Sequence, residues 1–525
     1  VRVGIDVGGT HTDAVLMAET TVVAEIKTAT TLDVTSGVVT ALERLLATSG
    51  AERGHITAVM IGTTHFTNAL VTGRRLARTA VVRLALPATA ALPPLVDWPD
   101  RLIRAINPSI HMCDGGHEFD GRPISPLKPD QLKRIAAELS THEIDTVAIS
   151  SVFSPVNAEL EERAADILLA ELPHLHVSMS HQIGRVGLLE RENATVVNAC
   201  LRDLADEIVD AFAEALRAVG IHAPLYLSQN DGTLMDAEYT RRYPVRTFAS
   251  GPTNSMRGAA FLADLADCAV VDIGGTTTDV GVLSGGYPRQ ATGEVDIGGV
   301  RTNFRMPDVL SIGLGGGSRV ATTPRLEIGP DSVGYELTDH ALVFGGQVLT
   351  ATDLAVAAGM ADIGDPSLVR HLSKDLVRNG VAWMAGRVGE LVDQMRVSAQ
   401  PLPVIVVGGG SVLMPDHLPG VPAVHRPAHH AVANAIGAAT GQIGGDVDRL
   451  FAITAARTRE DVLDQARAEA VERAVSAGAD PDTVEVVDID EVHVAYLPGN
   501  AVRVRVKAVG ELCVGRAATI EEVKA

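Results

Sequence analysis

Aromatic side chains are scarce in this 525-residue chain: 9 phenylalanines, 6 tyrosines and 2 tryptophans amount to 3% of it. A core on such a composition has to be built from Val, Leu, Ile and Ala, and the 46% hydrophobic content supplies them. Cysteine is also rare. Cys113, Cys200, Cys268 and Cys513 stand far apart with no CxxC spacing, which argues against a disulfide framework and for a reducing, cytoplasmic setting. Basic residues are outnumbered, 44 Lys and Arg against 65 Asp and Glu, leaving a formal net charge of −21. Such a surface repels phosphate backbones and anionic lipid, so neither nucleic acid nor a membrane surface is expected as a partner. No apolar run reaches the ~18 residues of a membrane span without a charge or a proline. The nearest, Ala80–Pro94, contains Arg83. The chain opens directly into a β-branched run, Val1–Asp6, which leaves no room for a signal peptide and again points to a cytoplasmic protein.

Glycine is plentiful, with 50 residues, and implies many tight turns and close backbone approaches. Short β-branched runs alternate with longer amphipathic stretches, an α/β signature. Strands are expected at Val1–Val7, Asp13–Met17, Thr57–Ile61, Thr79–Leu84 and Asp145–Ser150, helices at Asp33–Ala47, Pro129–Leu139 and Asn157–Leu172, and a helix start at Thr64–Val71. Leu188–Val219 reads as one long helical stretch between two lobes. Farther on, Ala269–Asp272 and Val404–Val407 read as strands, with glycine-rich turns up to about Gly317, and Thr352–Gly359, Leu368–Val397 and His429–Gly441 as helices. After Gly444 the character changes to a charged helix, Thr458–Ala477, and two strands, Thr483–Val487 and Val502–Val506, flanking a turn at Pro498–Gly499. A chain this long exceeds one core, which stops growing near ~250–300 residues. The expected division is 1–190, 191–444 and a C-terminal α+β appendage, 445–525.

An internal repeat carries the functional reading. Asp6-Val-Gly-Gly-Thr-His-Thr-Asp13 recurs as Asp272-Ile-Gly-Gly-Thr-Thr-Thr-Asp279, and each copy follows one apolar strand and runs into another. That makes each a strand–turn–strand hairpin. A P-loop is excluded because no Gly-Lys-Ser/Thr follows, and a dinucleotide fingerprint because no helix opens after the glycines. The paired glycines Gly8, Gly9, Gly274 and Gly275 remove Cβ atoms, so that backbone N–H groups can meet an anion at close range. Thr10, His11, Thr12, Thr276, Thr277 and Thr278 add donors. Asp6 and Asp272 at the strand ends can hold Mg²⁺ or orient an attacking group, with Asp279 beside them. Taken singly, each copy is equally readable as a tight glycine turn; the repetition of the whole set in separate halves favours a two-sided clamp on a triphosphate. Val404-Ile-Val-Val-Gly-Gly-Gly-Ser411 adds a buried strand running into a turn, Gly408, Gly409 and Gly410, where a flat base could rest on bare backbone.

Two phosphate hairpins followed by a glycine-rich adenosine turn resemble the actin, Hsp70 and sugar-kinase superfamily. The implied fold is a two-lobed, ribonuclease H-like actin-like ATPase, α/β in class, with the small α+β appendage behind it. Within that superfamily the chain is similar to the hydantoinase A/5-oxoprolinase family. The similarity rests on the first hairpin, Gly62-Thr-Thr-His-Phe-Thr-Asn-Ala-Leu70, Val177-Ser-Met-Ser-His181, Ser250-Gly-Pro252, the second hairpin, and Gly313-Leu-Gly-Gly-Gly-Ser318, in that order. The resemblance implies ATP and Mg²⁺ as cofactors and a cyclic amide (hydantoin, oxoproline or lactam) as substrate. It also implies a B-type second subunit within a homo- or hetero-oligomer. In the implied reaction the amide oxygen is phosphorylated, and water opens the ring. Asp6, Asp272 and Asp279 would serve the chemistry, with Asp6 and Asp272 on the metal; Gly315 and Gly316 would join the nucleotide site, and Thr63, Thr64, His65 and Asn68 would meet the substrate. Two departures stand out. The family's His-Gly-Thr-Thr begins here with Ile61, and its Ile-His-Thr-Ile-Gly reads Val309-Leu-Ser-Ile-Gly313. An ATP-binding regulator or activator, an acetone carboxylase-like kinase subunit and, more distantly, a sugar kinase are the alternatives. His111, Cys113, Asp114 and His117 are dense in ligand types but lie in turn-rich sequence with poor zinc spacing. Ser178, His181, Glu190, Arg191 and Asn193 either line a cleft or brace the long helix.

Overall fold

The computed structural model describes residues 1–9, 11–30, 33–291, 293–303, 306–453, 457–494 and 501–513. Arg2–Val7 sends Val3, Ile5 and Val7 into the core, and its partner His11–Ala18 is buried from Thr12 onward. The pair is antiparallel, and His11–Ala18 pairs in turn with Thr21–Ala29. On its other side Arg2–Val7 runs parallel to Ala58–Thr63, which runs parallel to Leu225–Ser228. The second half repeats this plan. Cys268–Ile273 is antiparallel to Thr278–Ser284 and parallel to Val404–Val407, which is parallel to Val424–His425. Val404–Val407 is covered on both faces, as an unbroken apolar run in a parallel setting requires. Thus the sequence repeat is a fold repeat: two ribonuclease H-like sheets, each led by one Asp-Gly-Gly hairpin, make a two-lobed actin-like ATPase fold.

The first sheet continues past Leu225–Ser228 through Thr233–Asp236, Gln442–Ala452, Ala501–Gly510 and Glu485–His493. The C-terminal α+β appendage therefore extends the first lobe's own sheet. Its helix, Arg459–Ser476, opens on a Thr458–Asp461 capping box and turns Val462, Ala466, Ala470 and Ala474 inward. Small residues there let it lie close, since a Cβ on Gly445 would come within 2.2 Å of the Ala470 carbonyl. The turn expected at Pro498–Gly499 lies outside the described residues.

Between Ala58–Thr63 and Leu225–Ser228 a separate parallel sheet is inserted, in the order Ser109–Asp114, Thr79–Leu86, Thr146–Ser151, His176–Met179. The stretch expected as one helix, Leu188–Val219, is two: Leu188–Cys200 and Arg202–Ala218. The break has a local cause. The Cys200 carbonyl accepts from the Ala77 amide at 2.7 Å, and the first helix is buried on all sides from Arg191 while the second keeps only an apolar stripe. No helix among the described residues is long and apolar enough to cross a membrane.

Candidate active site

The two hairpins match register for register. Asp6 stands opposite Asp13 and Val7 opposite Thr12; Asp272 stands opposite Asp279 and Ile273 opposite Thr278. Each loop closes on one backbone bond, Gly8 N–H to His11 O at 3.0 Å and Gly274 N–H to Thr277 O at 2.9 Å. A Cβ on Gly9 or Gly275 would meet nothing within 4 Å, so bare backbone faces open space in both loops. Thr10 lies outside the described residues. His11 and Thr277 are exposed at the loop tips, and Thr276 is half-buried. Thr12 and Thr278 turn inward: both are buried, and the Thr278 hydroxyl donates to the Leu314 carbonyl at 2.6 Å.

Gly315 and Gly316 sit behind the second loop. The Gly315 amide donates to Ser318 Oγ at 2.8 Å and the Gly316 amide to the Gly274 carbonyl at 3.0 Å. A Cβ on Gly315 would fall 2.5 Å from the Thr276 nitrogen. Both glycines shape the loop, and their N–H groups are engaged within the protein. The triple-glycine turn packs on the same hairpin. Gly408 has φ +84°, and its Cβ would lie 2.3 Å from Asp272 Oδ1; the Gly410 amide donates to Ile273 O at 2.7 Å. Gly409 meets only Lys27, which reaches across from the first lobe.

The carboxylates converge from both lobes. Asp6 Oδ2 accepts from Asn434 Nδ2 at 2.9 Å, and the same nitrogen donates to Asp13 Oδ2 at 2.9 Å. Lys27 Nζ grips Asp13 through both oxygens at 2.7 and 2.9 Å. Asp272 accepts from Ser255 Oγ at 2.5 Å, and Asp279 from the Ser311 hydroxyl. Burial, followed by the charge of Asp13, pushes the Asp6 carboxyl up to about 7, and the charge of Asp272 adds to this. Burial and Asp272 raise Asp279 to about 6, and burial raises Asp272 as well. Asn434, Ser255 and Lys27 were not anticipated from sequence. The one local sign was Asn434 standing as a lone polar residue in Ala433-Asn-Ala-Ile-Gly-Ala-Ala439.

Thr63, Thr64, His65 and Asn68 reach the same place because Ala58–Thr63 pairs in parallel with the Asp6 strand, putting Gly62 opposite Asp6. His65 Nδ1 and Thr63 Oγ1 are 2.6 Å apart, and burial lowers His65 to about 4, so its ring is neutral at pH 7. Asn68 Nδ2 donates to Thr64 Oγ1 at 3.3 Å. A Cβ on Gly62 would fall 2.4 Å from Asp6 Oδ1 and 2.5 Å from Asn254 Nδ2. Those two atoms are buried and have no hydrogen-bond partner within the protein. An acceptor and a donor left unsatisfied side by side, beneath two open glycine loops, fit a ligand or its metal-bound water. Among the described residues no three His, Cys, Asp or Glu side chains gather to hold a metal. Two carboxylates at Asp6 and Asp272 suit Mg²⁺ all the same, since it keeps several waters and takes phosphate oxygens for the rest.

Comparison with known proteins bears on the family and the fold. Residues 2–172 match the hydantoinase/oxoprolinase N-terminal region, and residues 191–362 match hydantoinase/oxoprolinase. The caprolactamase alpha subunit of Pseudomonas jessenii is 28% identical over 278 residues, 51% of this chain and 40% of the relative. The acetophenone carboxylase gamma subunit of Aromatoleum aromaticum is 27% identical over 254 residues, 46% of this chain and 34% of the relative. An uncharacterized protein of Methanocaldococcus jannaschii is 26% identical over 428 residues, 75% of this chain and 62% of the relative. The matches thus span 62% or less of these curated relatives. Among solved structures, ATP-dependent caprolactamase from Pseudomonas jessenii has a TM-score of 0.79 at 18% identity, covering 99% of this chain and 88% of that one. Nucleotide-free acetone carboxylase has a TM-score of 0.69 at 17% identity, covering 98% and 88%. At these identities the likeness concerns the fold.

Proposed function

The chain belongs to the hydantoinase/oxoprolinase family, and from that premise we propose that it hydrolyses a cyclic amide of the hydantoin, oxoproline or lactam type at the expense of ATP, as the A-type subunit of a larger enzyme. The observation that carries this reading is the unsatisfied pair Asp6 Oδ1 and Asn254 Nδ2, both against Gly62 at the strand ends that lead into the carboxylate-led glycine hairpins. ATP would be held by the Gly8–Gly9 and Gly274–Gly275 loops with its base at Gly408–Gly410, and Mg²⁺ by Asp6 and Asp272. Bound there, the nucleotide supplies a phosphoryl group that makes an amide oxygen a good leaving group.

The chain's own groups do the rest. Open-faced loop amides stabilise negative charge without reorganising. Asp6, fixed by Asn434 on one oxygen, presents its other oxygen to the ligand. Neutral His65, aligned by Thr63, offers a hydrogen bond to a polar ring without adding charge. Asn434 and Ser255 keep Asp6 and Asp272 in place. The names of the relatives support a subunit role, since they are subunits of a caprolactamase and of acetophenone and acetone carboxylases.

The test is Mg²⁺-dependent ATP hydrolysis by the chain, with and without a candidate B-type subunit, against hydantoins, oxoproline, lactams and, for the carboxylase alternative, ketones with bicarbonate. Stimulation by a cyclic amide, lost in Asp272→Ala, is the expected result. Stimulation only by a ketone would move the chain to the carboxylase branch. Absence of nucleotide binding would falsify the ATP-dependent reading altogether.

A further inference from the structure

Thr21–Ala29 is the outermost strand of the first lobe's sheet and pairs with the hairpin strand His11–Ala18. Side chains two apart on a strand share a face, and Glu25 and Lys27 are such a pair. Both reach one segment of the second lobe. Glu25 Oε2 lies 2.6 Å from His429 Nδ1, and Lys27 Nζ donates to the Ala431 carbonyl at 3.4 Å. That segment supports the triple-glycine turn, since the His430 carbonyl accepts from the Gly408 amide at 2.9 Å.

Lys27 also touches the turn itself. A Cβ on Gly409 would find only the Lys27 side chain within 4 Å, Cε at 3.6 Å and Nζ at 4.0 Å. A flat ring resting on that bare backbone therefore presses on the lysine as well.

The same ammonium grips Asp13 through both oxygens, at 2.7 and 2.9 Å. The Asp13 side chain is 4% exposed and that of Lys27 34%, so the carboxylate is fixed inside the protein and the amine is the end a ligand reaches. Asn434 Nδ2 then donates to Asp13 Oδ2 and to Asp6 Oδ2, each at 2.9 Å. An amide nitrogen has only those two hydrogens, so a shift of Asp13 is felt at Asp6. Oδ1 of Asp6 has no partner within the protein, which leaves Asn434 to orient that carboxylate. A continuous line of contacts thus runs from the glycine turn through Lys27, Asp13 and Asn434 to Asp6. An ion pair that served only to neutralise Asp13 would need neither the contact with Gly409 nor the reach to Ala431.

We propose that Lys27 is a positioning residue that links the two ends of the nucleotide site: what lies on Gly409 sets, through Asp13 and Asn434, how Asp6 meets the phosphates and their metal. Base and phosphate binding are then cooperative, and a phosphate chain without its base finds Asp6 less well placed. This role rests on the reading of the turn and the hairpins as an ATP site.

The test divides the nucleotide in two. Calorimetry on the full chain measures binding of Mg²⁺–tripolyphosphate with and without saturating adenosine, beside a non-hydrolysable Mg²⁺–ATP analogue. In the parent chain adenosine should tighten tripolyphosphate binding about 10-fold, inside the ~5–150-fold usual for coupled sites, and tripolyphosphate should tighten adenosine binding by the same factor. Asp13→Asn cuts the line at its middle with little change of shape. Lys27→Met combined with Asp13→Asn removes both charges and strands neither. Each should reduce the coupling to below about 2-fold, the double variant no further than the single, because one break suffices. A merely structural role would weaken each ligand alone and leave their coupling as it was. Equal coupling in parent and variants, or none in a parent that binds the ATP analogue, overturns the role of Lys27 and leaves the ATP reading standing. A parent chain that binds neither the analogue nor tripolyphosphate overturns the ATP reading, and this role with it.

Discussion

Asp6 and Asp272 hold equivalent places in the two repeats, yet one is bonded by an amide and the other by a hydroxyl. The consequences differ most for Asp6, which keeps one oxygen unsatisfied and has a carboxyl near 7. An aspartate raised this far above its unfolded value of ~3.9 favours the folded state fully only below that lower value, and the advantage is lost as pH rises through about 7. The ligand-free protein should therefore lose stability between about pH 4 and 7, on the order of a few kcal/mol from Asp6, with Asp279 adding to the loss up to about pH 6. Asp6→Asn keeps an acceptor for Asn434 and cannot ionise. Thermal unfolding should show it more stable than the parent at pH 8 and no different near pH 4; an unchanged slope would remove burial as the cause. Glycines in the same site separate structural from binding roles. Gly408→Ala needs φ +84° and a Cβ 2.3 Å from Asp272, and should cost about 2 kcal/mol or more. Gly275→Ala meets nothing in the protein; it should leave the unfolding temperature nearly unchanged and weaken nucleotide binding about 10-fold. If both variants lose stability equally, the open face of Gly275 is not a ligand face.

Two helices between the lobes carry the partners of those aspartates, Ser250–Ala263 with Ser255 and Ala433–Ala439 with Asn434. They cross at reciprocal glycines: a Cβ on Gly258 would fall 1.9 Å from the Ala433 carbonyl, and one on Gly437 would fall 1.9 Å from the Asn254 carbonyl. Alanine at either place must push the helices apart, shifting Ser255 and Asn434 together and so reaching Asp272 and Asp6 at once. Gly437→Ala should lower stability by about 3 kcal/mol and weaken nucleotide affinity, measured by denaturant unfolding and calorimetry; loss of stability with full affinity would show that the aspartates do not depend on this crossing. Such coupling marks where sequence reading stopped. The hairpins were legible because Asp, Gly-Gly and Thr are local signals on strand ends, and their repetition fixed both the fold and the lobes' equivalence. Asn434 meets Asp6 across 428 positions, a separation that no local pattern reports. Strands such as Leu225–Ser228 and Thr233–Asp236 are four residues long, too short for alternation to register. Ser250–Ala263 opens on Ser-Gly-Pro and holds two glycines, so propensity hides a helix that packing requires.

At the scale of the whole molecule, the change of character after Gly444 reads in the sequence as an appendage, whereas Ala501–Gly510 pairs with Gln442–Ala452 along its full length within the first lobe's sheet. Val447, Val462, Ala466, Val502, Val504 and Val506 share one core with Ala58, Met60, Leu234 and Ile443. Arg2 reaches Glu511 at 3.4 Å, and Lys507 meets Asp231 at 3.0 Å, so opposite ends of the described chain meet on one lobe. Each fully buried Val contributes roughly 1.5–3 kcal/mol, and several of them exceed the ~5–15 kcal/mol that separates a folded domain from its unfolded state. Removing residues 445–525 would also strip Ala501–Gly510 from Ile443 and Gly444, leaving a stub of strand as the bare edge of the first sheet, an invitation to strand pairing between molecules. A chain ending at Gly444 should therefore aggregate or lose its cooperative unfolding transition, although both hairpins and the glycine turn are intact in it. Size-exclusion chromatography and calorimetry decide the matter: a monodisperse, cooperatively melting product that binds nucleotide as the full chain does would make the tail a separate domain, and would leave the first lobe's stability to be found in its remaining strands.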